Sequence, residues 1–252
     1  MTRLTLLAFL FAASVLPATA QALSRADSLH ASGDLETALQ VLDSLLVNKG
    51  PGPEVSWRAA RAAVNRGILI EQEDGDAAKE AYLQAETHAL AGIEVDETDA
   101  LAWEWLAIAR GRRTLTEGLR TRATLVNGVR EASMQALALD SLRSGAHHVL
   151  GMWHAEVRRL NTFERLGAGA FGANDFGEAS WDDAIFHLRR ATELAPEAIV
   201  HGVDLARVYL DVDRDEDAAA ELRRVVALPA TEPSDEVLRE EARALLNELE
   251  GG

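Results

Sequence analysis

Apolar residues recur along this chain at the spacing of one helix face, and short polar or glycine-containing turns separate the periodic stretches. Ala38, Leu42 and Leu45, for example, follow one another at i, i+4 and i+7, and the glycine- and proline-rich loop at 49–53 comes directly after them. The pattern predicts an all-α chain of about eleven helices. Helices are expected over 23–31, 35–47, 54–70, 77–95, 100–112, 126–139, 144–160 and 234–249, with further helices between 180 and 229. The first of these further helices is expected to be capped by Ser180, which has an acidic residue three places later.

A repeat is superimposed on this helical periodicity. From Ile199 onward, small and large apolar residues occupy the positions that a tetratricopeptide repeat (TPR) unit reserves for them: Leu205, Ala206, Tyr209, Ala218, Leu222 and Val225, with Pro229 one place early. The unit before it matches on both sides of an insertion at about 161–179: Leu150, Gly151 and His154, then Ala184, Leu188, Ala191 and Pro196. We therefore expect a TPR-like, right-handed α-α superhelix over residues 23–250, with a Gly- and Phe-containing insertion.

The first 22 residues and the last helix show sequence patterns that differ from the repeat. The apolar run Leu4–Val15, followed by the small residues Ala18-Thr19-Ala20, predicts a signal peptide over 1–22 that is cut after Ala20 or Ala22. An uncleaved anchor or a buried first helix is the alternative. The last helix has a polar outer face suited to capping a repeat stack. The leader predicts a periplasmic or secreted protein with no transmembrane segment after cleavage.

The amino-acid composition restricts the classes of partner that the chain can bind. The net charge of −16 argues against nucleic acid and against an anionic membrane surface. The chain has no cysteine, which excludes disulfides and a cysteine-linked lipid anchor. Aromatic residues make up only 5% of a chain that is 48% apolar, as is typical of alanine- and leucine-rich helical proteins.

Three motifs invite a chemical interpretation that their context does not support. The G-x-G-x-x-G string at 167–172 lacks the preceding strand of a dinucleotide site, so no cofactor is expected. The alternating aspartates at 211–217 lack the glycine and glutamate of a calcium loop. His147, His148 and His154 share one helix, and packing is favoured over a metal site, although metal binding at these histidines stays open. No catalytic motif is present, and the sequence predicts a protein that is not an enzyme.

A few side chains are candidates for a binding groove on the concave face. Trp105 lies off the apolar face of its helix, unlike Trp103. Arg112 and Arg158 could bind a carboxylate or phosphate, although pairing with the many acidic residues is the simpler role. His154 is the fourth candidate for the groove. Phe163, Phe171 and Phe176 of the insertion are expected to form a lid over the stacked helices.

Several stretches carry a resemblance to one family. They are 149–157, 163–165, 170–172, 179–184 and 191–196, with 57–62 and 102–108 in the first half. Together they resemble the regulator of microtubule dynamics proteins, of which this chain looks like an exported bacterial relative. The resemblance implies an all-helical superhelical domain without catalytic residues. It also implies links to microtubules and to lipid handling in membrane-tethered animal members, and an exported bacterial protein meets no microtubule.

Two functions remain open at this point. The first is a non-enzymatic binding or scaffold protein of the bacterial cell envelope that holds a peptide or protein partner in its concave groove. The alternative is a carrier of a lipid or another apolar small molecule.

Overall fold

The computed structural model describes residues 17–161, 164, 167, 169 and 176–251. Eleven α-helices cover most of this part of the chain. They are α1 (Ala18–Ala31), α2 (Leu35–Lys49), α3 (Pro53–Ile70), α4 (Gly75–Val95), α5 (Ala100–Thr116), α6 (Leu119–Leu139), α7 (Ser144–Arg159), α8 (Trp181–Leu194), α9 (Ile199–Asp211), α10 (Asp215–Val226) and α11 (Asp235–Gly251). A single 3₁₀ turn, Phe176–Glu178, precedes α8.

The helices pair as the repeat pattern predicts. Helices α1 to α10 form five hairpins of successive helices, and α11 packs on the last hairpin. The predicted all-α, TPR-like architecture is therefore confirmed.

Local signals account for several helix starts. The Asp74 carboxylate accepts the backbone N–H of Ala77 at 3.0 Å and caps α4. The Ser180 hydroxyl accepts the N–H of Asp183 at 3.0 Å, which makes Ser180 the cap of α8 predicted from the sequence.

Two helix starts differ from the sequence-based expectation. Helix α6 begins at Leu119, seven residues before the predicted start at 126, and only a short turn at Gly118 separates it from α5. Leu119, Ala123 and Val126 follow one another at i, i+4 and i+7 in this segment, so the helical spacing extends seven residues further back than the expected start. Helix α1 begins at Ala18, so cleavage after Ala20 or Ala22 would remove its first turn.

Small residues allow the helices to pack closely. Many alanines at the helix crossings have no exposed surface, among them Ala60, Ala81 and Ala107. At Gly151 in α7, a Cβ atom would lie 2.8 Å from the Leu188 side chain and 3.1 Å from the Ala184 carbonyl oxygen of α8. This contact explains why a small residue is required at that position of the repeat.

The two ends of the array meet. Glu232, in the loop before α11, accepts a hydrogen bond from His30 of α1 at 2.8 Å and pairs with Arg61 of α3 at 3.0 Å. Ser234 donates a hydrogen bond to the Asn65 side chain of α3 at 2.9 Å. We call this junction the seam. It turns the predicted concave groove into the wall of a closed ring.

Candidate ligand cavity

The helices of the ring line a cavity of about 1170 Å³. Its wall comes mainly from the first helix of each hairpin after α1, namely α3, α5, α7 and α9, together with α11. This is the face that the sequence predicts to be concave. The volume is slightly above the usual range of ligand pockets.

Much of the cavity wall is apolar. The apolar lining includes Ile68 of α3, Trp105 and Ile108 of α5, Met152 of α7 and Val200 of α9. Each of these side chains is half-buried and packs against one of the hydrophobic clusters of the array. They present apolar surface to the interior and can hold an apolar ligand.

One side of the cavity carries a buried charge cluster centred on Asp204 of α9. The carboxylate accepts a hydrogen bond from His148 Nε2 at 2.8 Å and pairs with Arg207, which also binds Glu241. Burial by itself would raise the pKa of Asp204, but the hydrogen bond from His148 and the positive charges of Arg207 and Arg112 hold it well below its usual value. Asp204 is therefore a fixed negative charge in the cavity wall.

Four arginines line the cavity, and two of them, Arg112 of α5 and the exposed Arg122 of α6, differ from the other two. Arg159 binds Asp211 through its Nε at 3.0 Å, and Arg207 is held by Asp204 and Glu241. In the described part of the chain, Arg112 is half-buried, lines the cavity and makes no hydrogen bond or ion pair. Its guanidinium is available to an anionic group of a ligand.

The residues singled out from the sequence are distributed unevenly. Trp105 and Arg112 line the cavity, as does Phe176, which packs on Ala123 of α6. His154 and Arg158 are not among the lining residues: His154 is buried and Arg158 is exposed. Phe163 and Phe171 lie outside the described residues, so the lid stays a prediction.

His154 belongs to a histidine cluster between α7 and α8. Its ring stacks on His187 at 5.9 Å, and the Nδ1 atoms of His147 and His187 are 2.9 Å apart. Burial lowers the pKa of all three histidines, that of His187 to about 4. Among the described residues, no three histidine or carboxylate side chains are grouped so that they could hold a metal ion.

Sequence reasoning missed several lining residues. Asp204 and His201 lie one helical turn apart on α9, and Met152 follows His148 by four residues on α7. These i, i+3 and i, i+4 spacings place them on one face of their helices. These lining residues could have been found by listing, in the first helix of each unit, the residues at i, i+3 and i, i+4 from one another.

No described helix is both long enough and apolar enough to cross a bilayer.

Comparisons with known proteins show which protein family the chain matches. The model of the family described as regulator of microtubule dynamics protein 1-3 matches residues 22–250. The mouse regulator of microtubule dynamics protein 1 is 25% identical over 241 residues, which cover 94% of this chain and 78% of that protein. The bovine regulator of microtubule dynamics protein 3 is 27% identical over 228 residues, and this chain spans 47% of its length.

A solved structure has the same fold. A thermophilic TPR protein from Thermus thermophilus superposes with a TM-score of 0.61 at 18% identity, covering 91% of this chain and 99% of that one.

Proposed function

The chain belongs to the regulator of microtubule dynamics protein family, and we propose that it is a non-enzymatic binding protein whose central cavity holds an amphiphilic small molecule. The ligand would have an apolar body and one anionic group, as a fatty acid or a lipid has. The observation that carries the proposal is the cavity of about 1170 Å³, with an apolar wall and the half-buried Arg112, which makes no hydrogen bond or ion pair with the other described residues.

Closure of the ring favours this ligand over a folded partner. TPR-like arrays commonly bind protein segments along an open concave surface. Here the corresponding surface faces an interior that the seam closes, which suits a molecule that can be enclosed. The apolar lining would remove the body of such a ligand from water, at about 25 cal/mol per Å² of apolar area.

The charged group would lie at Arg112. A guanidinium in a partly dehydrated wall binds a carboxylate or phosphate by two parallel hydrogen bonds. The nearby Asp204 carboxylate repels an anion, and its ion pair with Arg207 reduces that repulsion. Among the described residues, Arg112 is the half-buried lining arginine whose side chain makes no hydrogen bond or ion pair, and Arg122, whose side chain also makes none, is exposed.

An extended segment of a partner protein is the second candidate. Leu115 and Val237 line the cavity and are exposed to 59% and 41%, so that the wall offers accessible apolar side chains. Such residues could receive an apolar peptide. The proposal includes export to the periplasm or beyond, as residues 1–22 predict, and it does not transfer the microtubule role in the relatives' names to this chain.

Binding of defined probes tests the proposal. Delipidated protein is titrated with a fluorescent fatty acid and, in parallel, with a fluorescent apolar peptide. Ile108→Trp, which adds bulk inside the cavity, should weaken fatty-acid binding at least about tenfold, a change of about 1.4 kcal/mol. Leu142→Trp, at a residue 60% exposed and outside the cavity lining, is the matched control and should bind as the wild type does.

Three results decide between the candidates. Saturable fatty-acid binding that Ile108→Trp weakens supports the amphiphile. Binding of the peptide alone favours the second candidate. Equal fatty-acid affinities of the two tryptophan variants would contradict the proposal.

A further inference from the structure

The seam joins parts of the chain that are far apart in sequence. Glu232 is the centre of the contact: its carboxylate accepts from His30 at 2.8 Å, pairs with Arg61 at 3.0 Å and accepts from the Asn65 amide at 3.3 Å. Asn65 also accepts the Ser234 hydroxyl at 2.9 Å. Within the described part of the chain, every hydrogen bond between α1–α3 and the segment from 228 onward involves Glu232 or Ser234.

The loop that carries Glu232 is itself held in one shape. The Asp235 carboxylate, which is almost fully buried, accepts the backbone N–H groups of Thr231 at 2.7 Å and of Glu232 at 2.8 Å. Pro229 and Pro233 restrict the backbone on either side of these residues. Glu232 is therefore presented to α1 and α3 from a rigid support.

The seam differs in chemistry from the other junctions of the ring. One hydrophobic cluster contains buried side chains of α7 to α11, and another contains those of α1 to α5. A third joins α3 to α7. Among the described residues, no cluster links α11 to α1, α2 or α3. The seam is held by polar contacts, for which water can substitute, whereas opening any other junction exposes apolar surface.

The seam is also part of the cavity wall. Asn65, Glu232, Ser234 and Asp235 are all lining residues. Separation of α11 from α3 would open the cavity along its side, without unpacking a helical hairpin. The junction that no apolar cluster holds is therefore also part of the cavity wall.

We infer that the seam is the entrance of the cavity, and that Glu232 sets how often it opens. The opening itself requires no ligand. The ligand-uptake part of the inference rests on the proposed function.

A distance measurement tests the opening. The chain has no cysteine, so spin labels can be placed at Ser28→Cys and Glu240→Cys, on exposed positions of α1 and α11. The wild-type background should give one short distance across the seam, and Glu232→Ala should add a longer one. A control pair at Glu94→Cys and Glu131→Cys, on α4 and α6, should not change.

Glu236→Ala is the matched control for the substitution. Glu236 is an exposed glutamate at the start of α11 that pairs with Arg239 of the same helix and is not a lining residue. Its removal should leave the Ser28–Glu240 distance unchanged. Thermal unfolding of each variant verifies that it is folded.

A covalent closure tests the entrance. Asn65→Cys with Ser234→Cys replaces two side chains that already touch, and oxidation would fix the seam. The oxidised protein should take up the fluorescent fatty acid at least about tenfold more slowly than the reduced protein, which corresponds to about 1.4 kcal/mol. Glu232→Ala should take up the fatty acid faster than Glu236→Ala.

The results separate the two proposals. An unchanged distance in Glu232→Ala would overturn the inference, whatever the ligand. Equal uptake by the oxidised and reduced double variant would overturn the entrance, with binding itself intact. If no form binds the probe, the proposed function fails, and the distance measurement still decides whether Glu232 keeps the seam closed.

Discussion

Glu104 of α5 binds Arg143, which lies 39 residues later at the start of α7, and so fixes one helix hairpin against the next. The Arg143 guanidinium donates to the carboxylate at 2.6 and 3.2 Å. The same carboxylate accepts the backbone N–H of Ala146 at 3.1 Å, in the first turn of α7. Glu104 is 5% exposed. It therefore serves as a helix cap supplied by a neighbouring repeat.

Removal of Glu104 should be costly for this reason. Glu104→Ala leaves the Ala146 N–H and the Arg143 guanidinium without their acceptor, and we expect a loss of about 1–3 kcal/mol in the free energy of unfolding. Arg143→Met should cost less, because the carboxylate keeps the backbone donor. Chemical denaturation of both single variants and of the double variant measures the coupling. Strict additivity would contradict a direct interaction.

Two helical glycines should respond in opposite directions to alanine. Gly151→Ala places a methyl group 3.1 Å from backbone atoms of α8 and should destabilise the protein by about 1–3 kcal/mol. At Gly111 in α5 the nearest atom is 3.8 Å away, so Gly111→Ala should stabilise the helix by up to about 1 kcal/mol. Denaturant midpoints of the two variants check the signs. If both substitutions shift the midpoint alike, the close contact of α7 with α8 does not exist.

The seam should weaken in acid. Burial alone would raise the pKa of Glu232, but the hydrogen bond from His30 and the charge of Arg61 lower it below its usual value. The folded protein thus binds the Glu232 proton less readily than the unfolded chain does. Its stabilising contribution is present above the unfolded pKa of about 4.3 and is lost as pH falls through the folded pKa.

Unfolding curves of the wild type and Glu232→Gln against pH measure this contribution. The difference in stability between them should be constant from pH 7 to about pH 5 and should shrink below about pH 4. Glu236→Gln, at an exposed residue away from the seam, provides the baseline. A difference between Glu232→Gln and the wild type that persists at low pH would show that the charge of Glu232 has no role at the seam.

Arg112 should determine the preference for an anionic ligand. Arg112→Ala should weaken binding of a fluorescent fatty acid by about 1.5–3 kcal/mol, the usual range for a hydrogen bond to a charged group. Binding of the corresponding neutral alcohol should weaken little in the same variant. Arg189→Ala, at an exposed arginine outside the cavity lining, is the control. If Arg112→Ala weakened binding of the acid and of the alcohol equally, the substitution would have damaged the cavity, and Arg112 would not contact the anionic group of the ligand.

The fold could be predicted because its signals are local. The repeat positions at Gly151, Leu188 and Leu222 are read within one helix or one hairpin, and the structure buries all three. Ser180 was identified as a cap from the acidic residue three places later. The start of α6 at Leu119 was missed although Leu119, Ala123 and Val126 repeat at i, i+4 and i+7, because arginines and threonines separate these apolar residues.

The candidate site was predicted only in part because it depends on tertiary contacts. Three arginines of α5 look equivalent in sequence, yet Arg110 and Arg113 bind Glu86 of α4, and only Arg112 lines the cavity. The 100° rotation per residue of a helix separates their directions. The contact of Glu232 with His30 spans 202 residues and leaves no periodic trace in the sequence.

The meeting of first and last helices has a consequence for how such a protein can change over evolutionary time. An open array tolerates duplication or loss of a unit, because each unit touches only its neighbours. In this chain one more hairpin, or one fewer, would carry Glu232 away from His30 and Arg61. In the part of the chain that the structure describes, the number of hairpins is therefore constrained by the contact between its ends, which substitutions and longer turns leave in place.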